Sequence, residues 1–233
     1  MWCGIKCLYE TRPRRNLHID DVYRKSLQHS SSVPCSTTRT MSSDLKKTSS
    51  ASVSKFVHHS GARFKIFPIT GDGNCLFRAM AYFVLCSQDE HNFIRNRIVK
   101  YVCKHWDRFQ NFLPQDDKES YRTKMSSPRT FGSEAEIVAF TEIFDCSLKV
   151  YFMSHPERDP LVFGDSSTEC FVLYSGPLDC GHYDVLFPTS EKPCNLSRHR
   201  QAIRDLRRRT LEEFGDDLEN FKENYLEDSS IVK

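Results

Sequence analysis

The stretch GDGNCLFRAM at residues 71–80 sets a thiol between a tight turn and an apolar run. A cysteine at the start of a helix meets unpaired backbone N–H groups and the positive end of the helix dipole, and both favour thiolate over thiol. Gly71 and Gly73, on either side of Asp72, let the backbone turn tightly enough for amides to converge on one point. An oxyanion hole has the same requirement. Cys75 therefore has the placement of a nucleophile. On this segment alone the plainer reading is a small buried thiol opening a core helix, since cysteine is among the most buried residue types.

A nucleophilic thiol needs a base, and the base needs an orienting group. Residues 181–184 read GHYD. In a strand, His182 and Asp184 share a face because side chains alternate with period two, so the carboxylate can take the imidazole's second N–H. Gly181 is expected to leave room for a substrate backbone, and Tyr183 to point to the opposite face and pack in the core. The other histidines carry no such partner: His58 and His59 are assigned to an arm before the fold, His91 and His105 to a helix, and His155 to a loop before Pro156. The GDGN turn lacks the GxxxxGK[ST] pattern and carries an acidic residue, which excludes a phosphate cradle.

The elements that must hold these groups follow from periodicity. RFKIFPI (63–69) alternates, with Phe64 and Ile66 facing one way, and predicts an extended segment. Leu76, Met80, Phe83 and Val84 sit at helical spacing after the turn. A second helix is expected from Asp89, as N-cap, to Trp106, with Ile94, Ile98, Tyr101, Val102 and His105 as its buried stripe. SEAEIVAFTEIF (133–144) opens on a capping box, Ser133 and Glu136. Strand-like runs follow at 147–153, 170–175 and 182–187, the last two joined by the turn-rich GPLDCG. Helices first and strands later, without regular βα alternation, predict an α+β fold.

Residues 1–52 are polar, basic and serine-rich without periodicity, and are expected to form a disordered arm. A catalytic domain is expected over 53–190 and a charged helical tail over 191–233. In the tail Leu211, Phe214, Leu218, Phe221 and Tyr225 step by three and four, with Gly215 inside the seam. That helix is left to dock on the domain or to contact a partner.

The chain has 233 residues, 39% of them hydrophobic and 12% aromatic, enough for one domain with a core plus extensions. A net charge of +2 gives no global field that points to nucleic acid or membrane. Every apolar stretch is broken by charge before it reaches the length of a membrane span. The first residues, MWCGIKCLYETRPRRNLH, contain no apolar core of a secretory signal, and Glu10, Asp20 and Asp21 count against a mitochondrial transit peptide. Ten cysteines without a signal peptide predict free thiols in a reducing, cytoplasmic or nuclear, compartment. No CxxC occurs, and neither Cys3 and Cys7 nor Cys194 and His199 finds a second pair at zinc-ligand spacing.

Taken together, GDGNCLFRA and the later GHYDVLF resemble the OTU (ovarian tumour) family of cysteine proteases. The resemblance matches Cys75 to the nucleophile, His182 to the general base and Asp184 to the third triad member. Asp72 matches the family aspartate of the loop that shapes the oxyanion hole. FGSEAEIVAFTEIF resembles the family's middle helix, with Phe131 where tryptophan is common. The resemblance spans about residues 55–188. It implies a papain-like α+β domain with a small central sheet between helices, and hydrolysis of ubiquitin conjugates with no metal or organic cofactor. Gly73, Asn74, Gly181 and Tyr183 are then expected to face the substrate. The implied partners are ubiquitin or polyubiquitin chains and ubiquitinated proteins, with no nucleic acid and no membrane. The rival readings are a catalytically silent ubiquitin-binding module, a protease for a ubiquitin-like modifier or a viral or mobile-element polyprotein, and an interaction or nucleic-acid-binding protein working through the basic arm and RHRQAIRDLRRR (198–209).

Overall fold

The run after Asn74 holds one charge, Arg78, and no β-branched residue before Val84, so little opposes a buried helix. In a computed structural model, described for residues 55–115, 117–177, 180–189 and 193–230, this run is α1 (Cys75–Leu85). It stops where Cys86 takes a left-handed conformation (φ 59°) and donates its N–H to the Tyr82 carbonyl. The arm expected over residues 1–52 lies outside the described residues.

The second helix, α2 (His91–Lys104), starts one residue later than expected. Glu90 rather than Asp89 stands at its N-cap, and no side chain caps it. The Asp89 carboxylate instead turns toward Arg78, 3.4 Å from its Nη1. Short α3 (Trp106–Phe109) and α4 (Lys118–Ser126) follow, the latter capped by Asp117, whose carboxylate accepts the Glu119 and Ser120 N–H groups. Neither was predicted: four residues and a strongly polar nine-residue run carry too little period. The capping box expected at Ser133 opens α5 (Glu134–Ile143), where the buried Glu136 carboxylate accepts from the Ser133 N–H (2.6 Å) and hydroxyl (2.8 Å). Its other oxygen accepts the Tyr121 hydroxyl at 2.8 Å, which ties α5 to α4.

Six strands form one sheet: β1 (Phe56–His59), β2 (Ala62–Phe67), β3 (Ser147–Phe152), β4 (Leu161–Phe163), β5 (Glu169–Ser175) and β6 (His182–Pro188), in the order β1-β2-β6-β5-β3-β4. The pairing is antiparallel throughout except between β3 and β5. The α+β expectation holds, with two short strands, β1 and β4, added to the predicted ones. His59 is therefore not in an arm. It closes β1 at 1% exposure, edge-on to Tyr151 with ring centroids 5.4 Å apart.

Register assigns the faces. Phe64, Ile66, Tyr151, Phe171, Leu173 and Leu186 share one, while Phe67, Leu148, Val150, Val172 and Val185 share the other. The first face closes on itself. Three strands separate β1 from β3 in the sheet, yet His59 reaches Tyr151. The turn after β1 is pinned to the β3–β4 connection by Ser60, whose N–H donates to the Pro156 carbonyl (3.1 Å) and whose hydroxyl donates to the Arg158 carbonyl (2.8 Å). A strongly curled sheet thus wraps its own core of Phe64, Tyr151, Phe171, Leu173 and Leu186. Each such side chain contributes about 1.5–3 kcal/mol when buried. On the other face α1 packs down, with Tyr82 stacked on Phe67 at 4.2 Å.

The tail is one 38-residue helix, α6 (Pro193–Ser230), and Gly215 does not break it. It belongs to the same compact unit as the sheet, Ser54–Lys233. Three residues of the predicted seam face the domain: Phe214 packs edge-on to Phe144, Phe221 edge-on to Phe93, and Leu218 is buried; Leu211 is exposed, and the Tyr225 side chain lies outside the described residues. Ion pairs Arg97–Asp217, Arg209–Asp145 and Lys222–Glu90 flank the seam. Arg207 donates to the Phe83 and Tyr82 carbonyls (2.9 and 3.0 Å), so α6 supplies a cation to the open C-terminal end of α1. No described helix is long and apolar enough to cross a membrane.

Candidate active site

Cys75 is the first residue of α1, and Asn74 at the N-cap leaves the cap position empty. The Asn74 side chain turns inward, at 5% exposure for the residue. Its Oδ1 accepts from the Arg129 N–H (2.9 Å) and from Arg95 Nη2 (2.8 Å), and its Nδ2 donates to Asp72 (3.0 Å). The amides at the start of α1 are thereby free of a side-chain cap. Asn74 is expected to face the substrate; its side chain is instead engaged in holding the loop, and its N–H donates to Asp72. Gly73 sits at φ +87°, and a Cβ there would stand 3.0 Å from the Arg129 backbone, so the loop and the 127–130 turn approach closely because this residue is glycine.

Asp72 is placed as an anchor and not at the reacting atoms. Its carboxylate takes Arg78 Nη2 at 2.7 Å and Nε at 3.1 Å, and also the Asn74 N–H at 3.0 Å. Arg78 first, with Asn74 adding to it, holds the Asp72 carboxyl well below the usual carboxylate range. Arg95 makes the second anchor. It is buried on the inner side of α2, lies 3.9 Å over the Phe77 ring, and donates to the carbonyls of Met125 and Thr130, each at 3.0 Å, as well as to Asn74. Burial lowers its pKa to about 10, which leaves it a cation at neutral pH. Sequence reasoning passed over both arginines. A signal existed: Arg78 is the lone charge of α1, and Arg95 falls on the same stripe as Ile94 and Ile98.

The strand alternation brings His182 and Asp184 together as expected, with Nε2 3.1 Å from Oδ1. The same carboxylate oxygen accepts the Ile69 N–H at 2.9 Å, which fixes it to the segment entering the GDGN turn. With Nε2–H donating to Asp184, Nδ1 is the basic nitrogen of the ring. Nδ1 lies toward the turn, 3.6 Å from where a Cβ on Gly71 would be. Gly71, not Gly181, is the glycine whose missing side chain borders the imidazole.

The thiol lies against this strand. Cys75 is 3% exposed, and backbone hydrogen bonds at Tyr183, Leu76 and Cys75 itself favour its thiolate. Burial outweighs them and pushes the thiol up from its ordinary value, with the Asp72 charge adding to the rise. The expected lowering by the helix terminus therefore does not prevail, because the sulfur is enclosed by α1 and β6 as well as capping a helix. Among the described residues no hydrogen bond joins the sulfur to the imidazole, whose side-chain partner is Asp184.

Gly181 is corrected outright. A Cβ on it would overlap the Tyr174 ring, and the Tyr174 hydroxyl accepts the Gly181 N–H at 3.1 Å while donating to the Pro177 carbonyl. The space left by this glycine is filled by Tyr174 and offers nothing to a substrate. Tyr183 points to the opposite face from His182, half-buried and edge-on to Tyr174 at 4.8 Å, and it meets the thiol through its backbone.

A helix-opening thiol set against a strand that carries a His–Asp pair, in an α+β frame, is the layout of the cysteine-protease class. Residues 70–175 match the family model described as OTU-like cysteine protease, so this part of the chain carries an OTU-like domain. It is 31% identical over 121 residues to an ovarian tumor domain-containing deubiquitinating enzyme 7 of Arabidopsis thaliana, covering 52% of this chain and 32% of that one. It is 24% identical over 124 residues to mouse OTU domain-containing protein 4, covering 53% and 11%, and 26% identical over 146 residues to a putative ubiquitin thioesterase L96 of Tipula iridescent virus, covering 56% and 17%. The chain thus spans a third or less of the length of these relatives. A solved OTU domain, that of OTUD1, superposes with a TM-score of 0.47 at 23% identity over 53% of this chain and 85% of that one.

Proposed function

We propose that this domain is a deubiquitinase: a thiol hydrolase that cleaves the isopeptide or peptide bond at the C-terminus of ubiquitin in conjugates. The observation that carries the reading is the Asp184 carboxylate held at once by His182 Nε2 and the Ile69 N–H, because it fixes the imidazole tautomer with Nδ1 turned to the Cys75 loop. Relatives named deubiquitinating enzyme and ubiquitin thioesterase support the choice of ubiquitin as the modifier. Cys75 is a thiol at rest, so attack requires a base. His182 Nδ1 takes the S–H proton as sulfur adds to the scissile carbonyl, and returns it to the leaving amine as the C–N bond breaks. Water, deprotonated by the same nitrogen, adds to the thioester, and the C–S bond breaks with the proton returning to sulfur. Asp184 stabilises the imidazolium formed in each half. The Asn74 N–H is engaged by Asp72, so the oxyanion falls to the Cys75 N–H and the remaining amides of the 71–73 turn.

The test is ubiquitin bearing a C-terminal electrophile. A covalent adduct at Cys75, absent in Cys75→Ala, is the expected result. The burial of Cys75 favours one rival, a silent ubiquitin-binding module; a non-covalent complex with no adduct establishes that rival instead.

A further inference from the structure

Away from the thiol, the first half of α6 and the outer ends of β2 and β6 enclose a groove of about 370 Å³. It lies five residues along β6 from His182, roughly 17 Å at strand rise. Its floor is apolar, formed by Tyr82, Phe187, Pro188 and Ile203. Its walls are cationic: Arg200, Arg204 and Arg207 succeed one another along one side of α6, and Lys65 stands across from them on β2. Among the described residues no carboxylate lines it. The neighbouring cations of the same helix are neutralised, Arg208 by Asp205 and Glu212, and Arg209 by Asp145. Among the described residues none of the four groove cations has a carboxylate partner. Arg207 is engaged with carbonyls of α1, and Arg204 with Gln201 alone at 2.6 Å. The exposed Lys65 and Arg200 are thus left facing the groove.

We propose that this groove docks an acidic linear segment of a partner protein, with carboxylates bridging Lys65 to Arg200 and Arg204 and one aliphatic or aromatic side chain on the Tyr82–Ile203 floor. A cationic rim around an apolar floor asks for a ligand that is acidic and apolar within a few residues. A nucleic acid fits it less well. Binding of single strands relies on free aromatic faces for stacking, and the Tyr82 ring is already stacked on Phe67, with Arg207 5.5 Å from its centroid.

The test uses the full chain and a fluorescein-labelled peptide of sequence Glu-Glu-Phe-Glu-Glu, read by anisotropy. Saturable binding is expected, weakened at least about tenfold by Lys65→Glu, by the Arg200→Glu/Arg204→Glu pair, and by replacing the peptide's phenylalanine with serine. Binding should also fall as salt is raised, because the groove cations are exposed. A melting temperature within about 2 °C of the parent confirms that the variants fold. The proposal is overturned by no saturation at millimolar peptide, by equal binding to the charge-reversed variants, or by a single-stranded oligonucleotide of matched charge binding more tightly than the peptide. Peptide binding is read without any turnover, so its failure is separate from failure of the proposed hydrolysis.

Discussion

Asp184 Oδ1 serves two donors, the imidazole and the Ile69 backbone, and these separate its effects on rate and on stability. Asp184→Ala is expected to lower kcat about ten- to a thousandfold with little change in KM, since the carboxylate acts on the histidine and not on ubiquitin. The same change strands the Ile69 N–H and should cost about 1–2 kcal/mol in a denaturant melt. Asp184→Asn keeps an acceptor oxygen for both donors and should be milder on both readouts. Steady-state kinetics decide the matter: an unchanged kcat in the Ala variant removes Asp184 from the mechanism. The pH behaviour of the site divides in the same way. Asp72 is held ionised by Arg78, so its folded carboxyl titrates below the unfolded one. Its contribution is present above the ordinary carboxylate pKa of about 4 and is lost as pH falls below it. Asp72→Asn should therefore flatten the acid limb of stability below about pH 4. Cys75 moves oppositely. Burial raises its pKa, so thiolate absorbance near 240 nm, taken as the difference from Cys75→Ala, should emerge only above the ordinary thiol pKa of about 8.5. Thiolate already present at pH 7 would contradict a buried resting thiol.

At the scale of elements, the loop that presents the thiol is fixed by a helix distant in sequence. Arg95 on α2 joins Asn74 to the Met125 and Thr130 carbonyls, and truncating it strands those two carbonyls and leaves Asn74 Oδ1 with the Arg129 N–H alone. Arg95→Ala is expected to destabilise by about 3–5 kcal/mol. Arg95→Lys should recover part of this, since an ammonium can reach some of those oxygens but not span them as a fork. Equal melts for Ala and the parent would show that the network is ornamental. Gly215 offers the opposite sign. It sits within α6 with open space around it, so Gly215→Ala should stabilise by about 0.5–1 kcal/mol. What could be read from the sequence was what is local. The turn-to-helix placement of Cys75, the His182–Asp184 pairing and the Ser133–Glu136 box each sit within a few residues. Asn74 was misjudged because its partners are at 95 and 129, and no spacing rule reaches that far. Gly181 was misjudged because a missing Cβ looks the same whether it makes way for a substrate or for Tyr174. The strands β1 and β4, at four and three residues, are too short to show a period.

For the whole molecule, α6 is part of the packed unit. It covers Phe93 and Phe144, and its Arg207 closes the end of α1. Deleting residues 193–233 should therefore abolish the cooperative melt. Deleting residues 1–50, whose composition offers no core, should leave both the melt and the adduct with electrophilic ubiquitin unchanged. Retention of a parental melt without α6 would refute its structural role.

The strand order has a consequence for how the chain comes off the ribosome. β6 is the last strand to be synthesised, yet it occupies an interior place in the sheet, between β2 and β5. Until it emerges, the β1–β2 hairpin has no neighbour and the two ends of the sheet cannot curl together. The same strand brings His182 beside Gly71 of the thiol loop and the Tyr183 backbone to the sulfur, and Arg207, later still, completes the helix that begins with Cys75. Pairing β2 with β6 means closing a loop of more than a hundred residues, which puts this step late and slow in folding. The thiol loop, made more than a hundred residues earlier, therefore waits for β6 before His182 and Asp184 can be set against it.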